Sequence, residues 1–294
     1  MTTATLIVNI GVLILLLKEK TLRTPFNQYI IALLCSNIIF IGLDNPLKIL
    51  TFSLEDWWLG SDACTVHIYS IYVVAAVTLH IHLLISINRA WALFWPIGYK
   101  NRHNAMVAGL LCLAMTIYVH ILLLPVVFGG AQFRQSNARG CYLIIPGHFG
   151  WSTFAAVWVF QVPKVFIPVC YPFLLWKEVK RKKTLRRPAP GMESAKKRGK
   201  SRPFMVLTLF TVCAVVCWIP STVYYEMIKF IPPRKLETLR NVQGTLFPLQ
   251  ALLDPVFFCL SLRNVHDYIV KVWRRVCKRE KIASAPTSMK SNVT

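Results

Sequence analysis

Long apolar stretches separated by short polar ones run along the whole chain. A helix needs about 20 mostly apolar residues to cross the hydrocarbon core of a bilayer. Seven stretches approach that length, at residues 3–19, 27–52, 65–88, 104–127, 151–176, 203–229 and 241–262. Residues 106–128 hold no charge, so they lack the polar stripe of a helix on a soluble protein. The pattern predicts an all-α membrane protein, a bundle of seven transmembrane helices.

Beyond the last apolar stretch the chain becomes polar and strongly basic. We expect residues 1–262 to form one transmembrane domain, since the connections leave no room for a second. Residues 263–279 predict a short amphipathic eighth helix on the inner leaflet, because their apolar side chains recur on one helical face. Residues 280–294 are expected to be a cytoplasmic tail.

Composition strengthens the membrane prediction, since 55% of the residues are hydrophobic and the mean hydropathy is +0.50. A net charge of +22 could indicate nucleic acid, but its distribution does not. Alternate connections on one side of the bundle hold 26 Lys and Arg against 5 Asp and Glu, whereas the other side holds 7 against 6. Basic residues concentrate in cytoplasmic loops. The N-terminus is therefore expected outside, the C-terminus inside, and the bilayer rather than nucleic acid as partner.

The sequence gives no support for an enzyme, because we find no phosphate loop, zinc-ligand spacing or nucleophile with a base. A transporter is the main rival, yet transporters often carry inverted repeats, and none is visible here. The basic segment 177–202 is explained by the charge rule and by anionic lipid. A role for it in binding a partner stays open.

Several short motifs follow one another at a characteristic spacing. They are Asn9, Leu22–Asn27, Trp57–Gly60 followed by Cys64, Ser86–Ala90, Pro96, Phe160 with Pro163 and Tyr171, Cys217–Pro220 and Asp254–Phe258. In these positions the chain resembles the rhodopsin-like (class A) G protein-coupled receptors along nearly its whole length. The resemblance implies a plasma-membrane receptor with an extracellular ligand and a heterotrimeric G protein at the cytoplasmic face. A receptor-like protein that no longer signals is the alternative, because some motifs are eroded.

The resemblance also assigns roles to individual residues. It places G protein coupling and activation at Asn88, Arg89, Pro96, Tyr171 and Phe258. It places the activation switch of the bundle at Pro163, Trp218 and Pro220, since proline removes a backbone donor and bends a spanning helix.

Nine cysteines are present, and two of them differ from the rest by their position. Cys64 and Cys141 both fall on the oxidising side of the membrane, and a disulfide between them is expected. Most of the others lie within spans and suit small apolar fillers. Cys277, on the inner side, is either acylated or a free thiol.

Two departures from the family pattern concern the inner end. Asn88 stands where most members have an acid, and a neutral amide cannot form an ion pair with Arg89. Lys200 appears near the point at which the family has an acid on helix six. We therefore expect a weaker lock on the inactive state and elevated basal signalling.

An ionisable residue inside a span is a functional candidate, and Asp254 is one. By resemblance it lies near Asn37, Thr78 and Gln250. This polar core could hold an allosteric sodium ion, or Asp254 could be neutral or satisfied by hydrogen bonds. No other cofactor and no other metal are expected.

The outer half of the bundle should hold the ligand. Ile71 stands at the position that carries an Asp in amine receptors, so a peptide or an uncharged small molecule is favoured over a cation. The candidate pocket residues are Tyr72, Ala75, Ser221, Tyr225 and Asn241. Glu226 is either a contact for a basic ligand group or a rim charge, and no role is assigned to Lys164. The stretch 3–19 is shorter than a span needs, and whether the chain is truncated at its N-terminus stays open.

Overall fold

Seven long helical regions, shorter helical pieces and one hairpin make up the part of the chain that the computed structural model describes. That part comprises residues 2–53, 57, 59–128, 132–136, 140–144, 150–185, 202–227 and 230–261. The α-helices are α1 Thr2–Lys18, α2 Pro25–Ile39, α3 Asn45–Ser53, α4 Gly60–Phe94, α5 Pro96–Arg102, α6 Ala105–Phe128, α7 Gly150–Ala156, α8 Val162–Leu185, α9 Arg202–Met227 and α10 Glu237–Ser261. Apart from α5, which lies between two of them, these helices follow the seven predicted apolar stretches, with ends that shift by up to nine residues.

Helix α4 lies at the centre of the bundle, in contact with α2, α6 and α8. The surrounding helices close a ring, because α1 packs on both α2 and α10, α9 packs on α10, and α8 packs on α9. More than half of the most apolar segment of α4 is buried, as expected for a central helix. The side chains of α4 therefore reach both the outer and the inner sites described below.

Five helical regions of the described chain are long and apolar enough to cross a membrane. They are Pro25–Leu47, Gly60–Phe94, Ala105–Val126, Gly150–Arg181 and Thr208–Met227. Helix α1 is apolar but only 17 residues long. Helix α10 is less apolar, since Glu237 and Arg240 face one another at 3.7 Å near its start and Asp254 lies within it. Length and composition thus support five of the seven predicted crossings.

Two spans contain a short π-helical turn, at Phe40–Asp44 and at Val157–Gln161. Each turn ends two residues before a proline, Pro46 in the first case and Pro163 in the second. A π turn carries one residue more than an α-helical turn, and both prolines and π turns are sites at which a helix bends. The predicted bend at Pro163 is accompanied by a turn that the sequence did not reveal.

A β-hairpin departs from the all-α prediction. Strands β1 Gln132–Ser136 and β2 Gly140–Ile144 pair antiparallel, with Gln135 opposite Cys141, and both contact α4. Short apolar and polar residues alternate too briefly here for the sequence pattern to have indicated strands. The hairpin brings the backbone of Cys141 to the helix that begins near Cys64.

Cys64 is bonded in a disulfide, and its side chain is fully buried at the outer start of α4. The preceding turn is built around Gly60, whose φ of +83° favours glycine. The indole N–H of Trp57 donates to the Gly60 carbonyl at 2.7 Å, and its ring stacks on His67. The pairing of Cys64 with Cys141 stays a prediction, because the Cys141 side chain lies outside the described part.

Several sequence predictions fall on residues outside the described part. These are the amphipathic helix at 263–279, the tail at 280–294, Cys277 and Lys200. They remain predictions. The described helices nevertheless contain every other candidate residue of the inner end, the polar core and the outer half.

Candidate functional site

A cavity of about 960 Å³ occupies the outer half of the bundle, between α4, α7, α8, α9 and α10. Four of the five predicted pocket residues line it, namely Tyr72, Ala75, Ser221 and Tyr225. Asn241 is exposed on α10 and is not among the residues that line this cavity. The cavity is lined instead by Gln243, Gly244, Phe247 and Pro248, which lie deeper on that helix. A volume of this size suits a small organic ligand.

Two charged side chains enter the cavity, and sequence reasoning gave a clear role to neither. Of the lining residues that the structure describes, only Lys164 and Glu226 carry a formal charge. Gln161 donates from its amide group to Glu226 Oε1 at 2.5 Å. Ile71 lines the same cavity and offers no charge. A lysine within an apolar span was itself a signal, since burying such a group is costly without a function.

Trp218 forms part of the cavity wall and also contacts the layer beneath it. Its ring meets the ring of His82 edge to face, with centroids 5.0 Å apart and planes at 90°. On its other side His82 stacks on Phe210 at 4.9 Å. His82 is thus held between two aromatic side chains of α9, and it connects the cavity wall to the interior.

The interior layer is a hydrogen-bonded polar core that joins α1, α2, α4 and α10. The Asn37 amide group donates to Asp254 Oδ2 at 3.2 Å and to Asn9 Oδ1 at 3.3 Å. The Asn9 amide group in turn donates to the carbonyl of Ala251 at 2.9 Å. These hydrogen bonds are strengthened by the low dielectric of the interior. Breaking one is costly, because no water is present to replace the lost partner.

His82 is the member of this core that sequence reasoning missed. Its Nε2 lies 3.9 Å from Asp254 Oδ2 and 3.1 Å from the amide nitrogen of Gln250. All three side chains are at most 3% exposed. The spacing of His80 and His82 showed only that the two rings point apart, and His80 indeed bonds the Ala76 carbonyl at 2.8 Å instead. The rarity of a titratable ring in a span was the available signal.

Thr78 belongs to the edge of the core. Its hydroxyl pairs with that of Ser36 at 2.7 Å, and no hydrogen bond joins it to Asp254. A sodium ion needs several oxygen ligands around the carboxylate, since hard cations prefer oxygen. Here the imidazole nitrogen of His82 lies beside Asp254. The residues present therefore fit a sodium ion poorly.

At the inner end the guanidinium of Arg89 lies over the ring of Phe26, 4.1 Å from its centroid. Its Nε has no hydrogen-bond partner among the described residues. The hydroxyl of Tyr171 accepts a hydrogen bond from Thr211, which links α8 to α9. Phe258 is buried in the apolar cluster between α1, α2, α4 and α10. A cation–π contact thus takes the place of an ion pair at Arg89.

Asn88 contacts a group of aromatic rings rather than Arg89. Its amide nitrogen lies 2.9 Å from His103 Nε2, and its oxygen accepts from the Tyr99 hydroxyl at 3.2 Å. His103 also contacts the Tyr29 hydroxyl at 3.0 Å and stacks on the ring of Tyr99. Burial lowers the pKa of His103, which lies between α5 and α6. Asn88 therefore ties α4 to the inner loop.

Replacing Asn88 with aspartate is expected to lower basal signalling, because a carboxylate beside Arg89 can form the ion pair that the amide cannot. His103 offers the new carboxylate a second partner. Basal G protein activation in cells, normalised to surface expression, measures the effect. Asn88→Ser, which also disturbs the contact with His103 but adds no charge, is the control. Unchanged basal activity in Asn88→Asp would contradict the weak-lock prediction.

The three candidate prolines lie at the expected places on the helices. Pro163 is buried at the second position of α8, two residues after the π turn ends, and Pro220 lies inside α9, two residues after Trp218. Pro96 is exposed at the first position of α5, where its missing N–H costs nothing.

Comparison with known proteins gives one family for most of the chain. Residues 8–258 match the family described as "7 transmembrane receptor (rhodopsin family)". The chain is 25% identical over 171 residues to the 5-hydroxytryptamine receptor 1E of Cavia porcellus, a match that covers 58% of the chain and 47% of the relative. It is 28% identical over 206 residues to the muscarinic acetylcholine receptor M4 of Gallus gallus, covering 68% and 41%.

The longest of the reported matches is to the allatostatin-A receptor of Bombyx mori. The identity there is 21% over 284 residues, covering 91% of the chain and 75% of the relative. The chain spans less than half of the length of the other two relatives. All three are named as receptors, in agreement with the sequence prediction that the chain is not an enzyme.

Proposed function

Because this chain belongs to the rhodopsin family of seven-transmembrane receptors, we propose that it carries an extracellular ligand signal to heterotrimeric G proteins. In this proposal α1 and α10 complete the seven crossings of the plasma membrane. The N-terminus lies outside and the strongly basic side faces the cytoplasm. The continuous contact from the cavity through Trp218 and His82 to Asp254 carries the proposal.

The ligands of the relatives are not proposed for this chain. Ile71 lines the cavity, and its side chain offers no counter-charge to a cationic ligand. A bound ligand that touches Trp218 changes its packing on His82, and the bend at Pro220 lets the inner half of α9 move. Arg89 then leaves the ring of Phe26 and contacts the G protein. A ligand shifts such an equilibrium only by its differential affinity for the two states.

For the polar core we propose that no sodium ion is bound and that the imidazole of His82 takes the ion's place beside Asp254. The Nε2 of His82 lies 3.9 Å from Asp254 Oδ2, so the ring occupies space that an ion bound to the carboxylate would need. Gln250 contributes its amide to the same ring. The proposal rests on the donor set around Asp254, in which a nitrogen takes the place of the oxygens that sodium requires.

The receptor proposal is tested with Arg89→Ala. Cells that carry a panel of G protein activation reporters are expected to show basal signal with the wild type and a loss of about tenfold or more with the variant. The reason is that Arg89 is the cation at the inner end of α4 that the G protein contacts. Arg102→Ala, which removes an exposed arginine of the neighbouring α5, is the matched control at equal surface expression.

Each other outcome has a defined meaning. Signal that is equal in the wild type and in Arg89→Ala shows that Arg89 does not couple the chain to G proteins. Absence of any basal or ligand-induced signal across the panel, at normal surface expression, indicates a receptor-like protein without G protein coupling. Substrate uptake that is independent of Arg89 indicates a transporter.

A further inference from the structure

Lys164 is an unusual cation because it lies inside a span and faces the cavity. It is partly buried on α8, one residue after the buried Pro163. Its ammonium group lies 5.9 Å from the ring centroid of Phe160, a distant cation–π contact. No carboxylate within the described residues forms an ion pair with it. A charge placed this deep is costly unless something pairs with it.

Glu226 is the other charge in the cavity, and its situation differs. Its carboxylate already accepts a short hydrogen bond of 2.5 Å from Gln161, a neutral donor. Glu226 is an electrostatic neighbour of Lys164 without closing a direct ion pair with it. The protein therefore supplies a hydrogen-bond donor to its anion, whereas its cation is left facing the cavity space.

The rest of the cavity is mostly apolar. Its apolar lining includes Ile71, Ala75, Leu79, Ala156, Trp218 and Phe247. Such walls bind hydrocarbon or aromatic groups, and they offer little to a second ligand charge. The cavity of about 960 Å³ is thus mostly apolar, and Lys164 is the cation that faces it.

We propose that the ligand is an amphipathic organic anion whose carboxylate pairs with Lys164 while its apolar body lies against Trp218. This inference rests on the proposed receptor function, and it assigns the chemical class of the ligand at the same cavity. Hydrogen bonds to charged partners are roughly twice as strong as neutral ones, so the acid group dominates selectivity. Glu226 limits the site to a single acid group, because it repels a second.

The test uses a panel of aryl- and alkyl-carboxylates of up to about twelve carbons, each paired with its primary amide. Ligand-induced G protein activation is measured in cells at matched surface expression. We expect several acids to activate the wild type, each at least about tenfold more potent than its amide. Lys164→Met should lower the potency of these acids to that of the amides, and Lys164→Arg should retain most of it.

Glu226→Gln distinguishes an anionic ligand from a zwitterionic or cationic one. The new amide can still form a hydrogen bond with Gln161. Removing the negative charge makes the cavity more favourable to an anion, so the potency of the acids should rise or stay unchanged. A loss of potency as large as that of Lys164→Met would overturn the single-anion proposal in favour of a zwitterion. Activation by the corresponding amines, lost in Glu226→Gln, would overturn it in favour of a cation.

Failure of this inference is distinguishable from failure of the receptor proposal. If no acid of the panel acts while basal signal depends on Arg89, the chain is a receptor and the anionic ligand class is wrong. If acids and amides act equally, the ligand class is also wrong. Purified wild-type and Lys164→Met proteins in lipid nanodiscs, compared by the rise of thermal midpoint with each acid, give the same answer without signalling.

Discussion

His82→Ala is expected to lower the stability of the bundle by about 3–5 kcal/mol, one of the two largest effects of any single substitution considered. The substitution removes a ring packed between Trp218 and Phe210. It also leaves Asp254 as a buried carboxylate without its neighbouring imidazole. The measurement is the thermal midpoint of the purified protein in nanodiscs, supported by surface expression in cells.

His80→Ala is the matched control, since it removes the same ring two residues away on α4. His80 bonds the Ala76 carbonyl and touches Tyr118, and no carboxylate of the described helices pairs with it. Its loss should cost about 1 kcal/mol from the hydrogen bond, besides the packing of the ring. Equal losses in the two variants would show that the pairing of His82 with Asp254 adds nothing to ring packing.

The same pair of variants tests whether the polar core binds a sodium ion. Basal signalling of the wild type should not change when sodium in the medium is replaced by choline at constant ionic strength. His82→Ala vacates space beside Asp254, and signalling of this variant should become sensitive to sodium. Sodium sensitivity of the wild type would contradict the proposal that His82 takes the place of the ion.

Cys64→Ser is expected to cost about 2–5 kcal/mol and to reduce the amount of protein at the cell surface severely. The reason is that Cys64 is a fully buried half of a disulfide at the outer start of α4. Without the bond, the hairpin that contacts α4 loses its covalent connection if Cys141 is the partner. Thermal midpoint and surface labelling measure the loss.

Cys35→Ser is the control for this experiment, because Cys35 is a free, exposed cysteine. Its replacement should leave stability unchanged. Cys141→Ser should reproduce the loss of Cys64→Ser, and the double variant should add nothing further, since both remove one bond. Additive losses in the double variant would mean that Cys64 pairs with another residue.

The described fold was largely predictable because apolar length is a strong signal in a membrane protein. The chain cannot leave its backbone unpaired in lipid, so each apolar stretch of sufficient length had to be helical. The hairpin was not predictable in the same way, since its ten residues carry no apolar length. The π turns were also hidden, because the sequence shows Pro46 and Pro163 but not how the preceding turn adapts.

The candidate site was predicted where a motif had a family counterpart. Asn37, Gln250 and Asp254 do meet in one core, and four pocket residues do line one cavity. His82 and Lys164 were missed because no motif contains them and helix rotation alone decides what they face. Asn88 shows the same limit, since its neighbour in sequence is Arg89 while its partners in space are His103 and Tyr99.

The π turn at Val157–Gln161 acts as a phase shift for everything that follows it on α8. Successive residues of an α-helix are rotated by about 100°, so one extra residue turns the next segment by that angle. Lys164 and Tyr171 both follow the turn. Its extra residue therefore determines that Lys164 faces the cavity and that the Tyr171 hydroxyl faces Thr211. A chain that lost one residue of this turn would keep its composition and its length in the membrane, yet it would aim both groups elsewhere.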